Sequence, residues 1–400
     1  MSELQTGSLL QGGKYKIEKS LGQGGFGITY LAEQTMLGRK VAIKEFFMKE
    51  FCERDESTSH VTLGTGTIRT TVARFREKFL KEARLIAQMN NRHIVSIYDM
   101  LRSYLHWWLS DIKRDKRTGL VCGIMEESDP SDYTEQLTFA PVDLNVQICC
   151  GADILSKFAE YLNIKEDVIK YKKIYFELCD IINEYLFDEE DGFYYTRNVK
   201  ENRLLKNRPY SSAFDTFRHG IISADRIPLL LSVLKDNSKY GYYDKYGITT
   251  APYDSPEFCE TVGDYKGWTS WSGNIWTFRN EIIAQGLRDC GLYEEAAHIA
   301  YQTVMTFNGN YAEFINPSTG AGQGVKRYGW SASQYIELIT EVIFGVDYNA
   351  WENKVTVCPC IPEELFGGKI SISDLSLGDA RSLSVSIECG KERKVSYVIK

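Results

Sequence analysis

Residues 311–339 read YAEFINPSTGAGQGVKRYGWSASQYIELI, and the change of character along this stretch decides the fold. It opens on aromatic and apolar residues around one acid, Glu313. Asn316-Pro317 then fixes a turn, because proline presets φ and the asparagine side chain bonds to its own following backbone. A glycine-rich passage follows. Over 332–345, ASQYIELITEVIFG, apolar groups recur at helical spacing. The segment therefore predicts a turn-containing loop that runs into a helix.

Working outward, the same alternation of helix and loop recurs. Helical spacing covers 144–163, 168–187, 227–236, 275–291 and 293–308, with Gly- and aromatic-rich loops between. Helices in pairs joined by long loops predict a helical toroid rather than a bundle. No internal repeat at a fixed period is visible. Beyond Trp351 the pattern turns to short strands at 354–362, 368–377, 381–389 and 394–400, which predict a small β-sandwich tail.

The first hundred residues read differently. Tyr15–Leu21, Ile28–Glu33 and Lys40–Phe46 alternate as strands of an antiparallel sheet. A polar loop fills 48–71, and 72–90 predicts a helix burying Phe75, Phe79, Ala83 and Ile86. Between the first two strands stand Gly22, Gly24, Gly25 and Gly27, and the third carries Val41-Ala42-Ile43-Lys44. Glycines let a backbone pass close over phosphates where a side chain would clash. This combination resembles the nucleotide-binding lobe of Ser/Thr protein kinases. The resemblance implies that Lys44 meets the α/β-phosphates of ATP and that Glu82 pairs with it. It stops near residue 100. No H-R-D, D-F-G or A-P-E follows, Asp191-Gly192-Phe193 being D-G-F in a loop, so ATP binding is implied and phosphoryl transfer is not.

From about residue 101 the chain resembles inverting (α/α)6 glycosidases, close in kind to glycoside hydrolase family 63 and the trehalases. MEESDPSDYTEQ (125–136) is similar to the family's acid loop and PVDLNVQ (141–147) to the helix start after it. GWTSWSGNIWTFRNEIIAQGL (267–287) and the 311–339 stretch are similar to its W-R-G-P-I-W and E-x-Y-N-P-x-T-G segments. Inverting hydrolysis needs a protonated acid and an ionised base about 6.5–9.5 Å apart, leaving room for the attacking water. The resemblance makes Glu313 the base and Asp132 the acid, with Asp129 the alternative. Trp268, Trp271 and Trp276 become candidate sugar-stacking residues beside Tyr311 and Trp330. Ser272 and Asn274 stand where the family has Arg and Pro, so sugar specificity stays open. Asp143 and Asn145 are expected to cap the helix that follows them. Arg218 and His219 are expected to be structural. Only residues 101–124 precede the acid loop, which implies that the front helices of the toroid are missing.

The 400 residues are 43% hydrophobic and 25% charged with net charge −7, an ordinary soluble composition. The absence of a basic stripe argues against a nucleic-acid partner. No start resembling a signal peptide and no membrane-length apolar run is seen, so a cytoplasmic location without membrane association is expected. The ten cysteines include no C-x-x-C pair, so no metal site is expected and reduced thiols are. The expected plan is multidomain α+β: a kinase-like lobe at 1–100, an incomplete (α/α)6 glycosidase region at 101–350, and a β tail at 351–400. The expected activity is hydrolysis of an oligosaccharide or glucoside, α-glucosidic by resemblance, without a cofactor. The alternatives are an ATP-binding kinase-related protein and a non-functional fusion of two fragments.

Overall fold

The computed structural model describes residues 3–24, 27–36, 38–47, 52–54, 61–63, 98–123, 138–260, 273–350, 352–378, 381–390 and 394–400. The chain divides into two compact units, Met1–Met100 and Leu101–Lys400.

In the first unit, strands β1 (Leu9–Leu10), β2 (Tyr15–Gly24), β3 (Gly27–Gln34) and β4 (Arg39–Phe46) form one antiparallel sheet in chain order. Alternation explains it. Ile28, Tyr30 and Ala32 of β3 point to one face and are buried with Ile17 and Phe47. The buried Tyr30 hydroxyl accepts from the Leu4 amide and donates to Glu45, both at 3.0 Å. Burial pushes this phenol up to about 12. The β2–β3 connection closes at Gly24 opposite Gly27, and Lys44 lies opposite Thr29 on β4. A short hairpin, β5 (Cys52–Arg54) with β6 (Val61–Leu63), completes the strands described in this unit. The helix expected at 72–90 lies outside the described residues.

Helix α1 spans Tyr98–Trp108. In the second unit the chain forms helices α2 (Val142–Tyr161), α3 (Lys165–Tyr185), a 3-10 helix (Ser211–Gly220), α4 (Ile227–Lys235), α5 (Asn237–Tyr240), α6 (Thr277–Asp289), α7 (Tyr293–Phe307) and α8 (Gly329–Glu337). The last continues into a π-helical turn, Leu338–Ile343. Neighbours pack in sequence order: α2 on the 3-10 helix, the 3-10 helix on α6, and α6 on α8. Behind them α3 backs α2, α4 backs the 3-10 helix, and α7 backs α6. This is a two-layered arc of helical hairpins, the wall of a toroid. Composition separates the layers. Helix α2 buries every residue of its first five, Val142–Val146, and then Ile148 and Cys149, whereas α3 buries mainly Tyr171, Leu178, Cys179 and Ile182.

The loops entering the inner helices are joined edge to edge. Strand β7 (Phe139–Ala140), before α2, pairs with a strand at Arg197–Asn198. The Ser211 amide, opening the 3-10 helix, donates to Thr250, and the Thr250 amide donates to Asn274, just before α6. Ile275 exchanges both backbone bonds with Ile315 at 2.9 Å. The Tyr328 amide, before α8, donates to Tyr311. One rim of the arc is therefore a continuous belt of loops, and Glu313 lies on it.

The tail differs from the sandwich expected. Val346–Asn349 and Lys354–Val357 form a hairpin, and Lys369–Gly378, Arg381–Glu388 and Lys394–Ile399 form one antiparallel meander. Leu383, Val385 and Ile387 bury one face of the central strand, while the last strand is exposed. Among the described residues, no helix is long and apolar enough to cross a membrane.

Candidate active site

Glu313 precedes a two-residue antiparallel pairing, Phe314–Ile315 with Gly322–Gln323. Asn316 makes the turn between them. Its Oδ1 accepts from the Ser318 and Thr319 amides and the Thr319 hydroxyl at 2.9–3.0 Å. Its Nδ2 donates to the Glu260 carbonyl at 2.8 Å, as does Gln323 Nε2. The hairpin is thus tied both to the loop ending at Glu260 and to Ile275. The Glu313 backbone amide donates to the Val325 carbonyl at 2.9 Å, and the Val325 amide donates back to Glu313 Oε2 at 3.0 Å. Among the described residues, Glu313 Oε1 meets no hydrogen-bond partner. The buried Ser331 hydroxyl, 2.9 Å from Thr277 Oγ1, also reaches the Glu313 carbonyl at 3.5 Å and links α6 and α8 beneath the acid. One anchored and one open oxygen suit a group that must keep its orientation while taking a proton.

The residues that follow the hairpin into α8 carry an aromatic surface. Trp330 is half exposed (51%) and stacks on Phe278 with centroids 5.9 Å apart. Tyr328 meets Trp330 edge-on, and Tyr311 meets Tyr335 in the same way. A partly bare indole on a rigid partner offers a flat apolar face.

Below the belt, three inner helices meet at a buried charge cluster. Arg279 Nη1, in the first turn of α6, lies 2.6 Å from both carboxylate oxygens of Asp215 in the 3-10 helix, and both side chains are 3% exposed. Asp143, in the first turn of α2, completes the group. Burial pushes Asp143 up to about 6, with Arg279 opposing and Asp215 adding to the rise. Asp215 is also raised by burial, against Arg279. Side chains from three helices meet here around one cation.

A second unusual acid, Glu281, lies on α6 as well. Burial pushes it up to about 7. Arg218 opposes this, and Glu337 and Glu341 reinforce it.

A family profile described as the mannosylglycerate hydrolase MGH1-like glycoside hydrolase domain matches residues 70–331. The chain belongs to this glycoside hydrolase family. The match begins ahead of the division at Met100. The mannosylglycerate hydrolase of Thermus thermophilus is 24% identical over 208 residues, covering 52% of this chain and 47% of that one. The serine/threonine-protein kinase PksC of Streptomyces coelicolor is 34% identical over 93 residues, covering 23% of this chain and 13% of the kinase. A solved sialidase structure shares the fold at TM-score 0.60 and 16% identity, covering 75% of this chain and 29% of that one. The glycosidase region and the similarity of the N-terminal region to Ser/Thr kinases are thus both found in known proteins. The chain spans about half the length of the first curated relatives it matches.

Against this glycosidase frame, the residues singled out from sequence fall into three groups. Glu313, Tyr311 and Trp330 come together on the belt. Asp132, Asp129, Trp268 and Trp271 lie outside the described residues, as do Gly25 and Glu82 of the kinase-like lobe. Trp276 corrects the expectation. It is 1% exposed and stacks on Phe314 at 4.9 Å, so its ring is core and meets no sugar. Asp143 and Asn145 are also corrected. The helix N-cap is Pro141, without a side-chain cap. Asn145 instead exchanges two bonds with Val121, at 2.8 and 3.0 Å, while Asp143 joins the buried cluster. Asn274 is fully buried and accepts backbone bonds from Thr250, a structural post. His219 and Arg218 are held by Asp153 and Asp289. The sequence reading passed over Asp215, Arg279 and Glu281. Local spacing does not mark them: Asp215 stands among Ser, Thr, Arg and His in 211–220, and Arg279 and Glu281 fall together in the polar stretch TFRNE.

Proposed function

We propose that this chain is a glycoside hydrolase acting with inversion, with Glu313 as general base and Asp132, or Asp129 in its place, as general acid. The observation that carries this reading is the Glu313 carboxylate, with Oε2 fixed by the Val325 amide and Oε1 without a hydrogen-bond partner among the described residues. A carboxylate so held deprotonates a water, while the acid from the preceding loop protonates the leaving oxygen. The substrate class is an α-linked sugar: a glucoside by family resemblance, or mannosylglycerate by likeness to the Thermus thermophilus relative. The domain plan proposed is 1–100 kinase-like, 101–350 catalytic and 351–400 β tail.

The test is sugar release from a panel of α-glucosides and mannosylglycerate. Product configuration is read by NMR before mutarotation, and the first-formed sugar is expected to be the inverted anomer. Glu313→Gln is expected to lower kcat by at least about a hundredfold, within the range of general-base contributions. Undiminished turnover by that variant removes the assignment.

The kinase-like lobe is proposed to be vestigial, keeping a nucleotide cradle. The Gly24–Gly27 closure and Lys44 on β4 favour it. Titration with ATP is expected to give saturable binding that Lys44→Ala weakens about tenfold or more, as loss of a charge-assisted phosphate contact should. Equal binding by both proteins overturns this part alone.

A further inference from the structure

Three glycines alternate along the turn and return arm of the Glu313 hairpin, and a Cβ at each would meet a close neighbour. A Cβ at Gly320 would meet the Tyr246 ring at 2.4 Å. One at Gly322 would meet Asn310 Oδ1 at 2.5 Å and Ala312 Cβ at 2.7 Å. One at Gly324 would lie 2.5 Å from Glu313 Oε2, 2.8 Å from Glu313 Cβ and 2.7 Å from a Phe314 ring carbon. Gly324 also has φ +67°, the left-handed region that other residues adopt with strain.

The first two contacts fix the hairpin against its surroundings. The third is different, because its nearest neighbour is the oxygen already bound by the next amide in the chain. That oxygen can reach the Val325 amide at 3.0 Å only because nothing projects from Gly324. A methyl group there occupies the carboxylate's own space, so the carboxylate must rotate or the hairpin must open. Either change releases Oε2 from Val325 and moves Oε1 with it.

From this geometry we infer that Gly324 and the Val325 amide together form a positioning device for the Glu313 carboxylate, with Gly324 setting its rotamer by leaving room and Val325 holding one oxygen. The inference rests on the proposed role of Glu313 for its catalytic meaning, but the contact itself is testable apart from that role.

The device predicts a coupling between positions 313 and 324. Gly324→Ala should lower kcat about tenfold or more while KM stays within about twofold, since the error lies in the reacting geometry and not in sugar binding. In a Glu313→Ala background the same glycine substitution should lower the melting temperature by clearly less than in the parent, because the displaced oxygen is gone. Glu313→Ala alone should speed hydrogen exchange at the Val325 amide by about tenfold or more, with the amides of Phe314 and Ile315 unchanged. This last measurement does not depend on Gly324→Ala folding or on activity. Unchanged exchange at Val325, or equal melting losses in the two backgrounds, overturns the positioning device and leaves the hydrolase reading standing. Undiminished sugar release by Glu313→Gln overturns the hydrolase reading and leaves the contact standing.

Discussion

Replacing Arg279 with methionine is expected to destabilise the helical unit by about 3–5 kcal/mol at pH 8, the usual cost of removing one partner from a buried ion pair. The reason is the company Arg279 keeps. Its guanidinium lies 2.6 Å from Asp215, and it also lowers the cost of ionising Asp143. Methionine fills much of the volume but leaves two buried carboxyls with no cation, and each must then hold a proton or suffer desolvation. The sign with pH follows. Both acids already have folded-state values above their ordinary range. Without the arginine both rise further, so the folded variant binds protons that the unfolded chain releases. Its deficit against the parent is therefore largest at pH 8 and shrinks as pH falls toward about 5. Urea unfolding of the parent and the variant at those two pH values measures it. The double variant Asp215→Asn/Arg279→Met should recover part of the loss, because it buries one charge fewer. A single variant within about 1 kcal/mol of the parent at pH 8 would show that the cluster does not hold the three inner helices together.

That cluster also marks the limit of what the sequence alone reveals. Periodicity located most of the longer helices to within a few residues, because an apolar face repeats in the chain itself: 293–308 was read and Tyr293–Phe307 is formed, whereas Tyr98–Trp108 and the 3-10 helix Ser211–Gly220 were not read. The kinase-like strands were legible for the same reason, period two in place of 3.6. The turn after Glu313 was legible locally, since Asn316 makes the Asx turn with its own neighbours, whereas the role proposed for Glu313 came from the family resemblance. The misread residues answer to partners far away in the chain. Trp276 reads as a surface aromatic in a Gly- and Trp-rich loop until Phe314 is seen to cover it. Asp143 has the type and position of a capping residue, and only Asp215 and Arg279, brought in from two other helices, draw it into the core. Gly324 reads as one of several loop glycines, and the approach of Glu313 is what gives that position meaning. Spacing reports which residues share a face, and it is silent on what that face meets.

Glu281→Gln is expected to stabilise the protein at pH 8 by about 3 kcal/mol and to change little near pH 4.5. Glu281 has a folded-state pKa of about 7 because burial disfavours its charge, and Glu337 and Glu341 add like-charge repulsion that Arg218 only partly offsets. Below about 4.5 the folded and unfolded chains both hold this proton, so it contributes nothing to the pH dependence. Between about 4.5 and 7 the folded chain keeps a proton that the unfolded chain has lost, and stability falls as pH rises through that window. Above 7 the penalty is complete, and a shift of this size amounts to about 3 kcal/mol. Glutamine has the same shape and no charge to desolvate, so it removes the penalty and with it this part of the slope. Glu341 supplies the control. Glu341→Gln takes away one repelling carboxylate, which lowers the Glu281 value, so Glu281→Gln should then stabilise by less than it does in the parent. A Glu281→Gln gain of the same size at pH 4.5 and pH 8 would trace the effect to packing rather than to the buried charge.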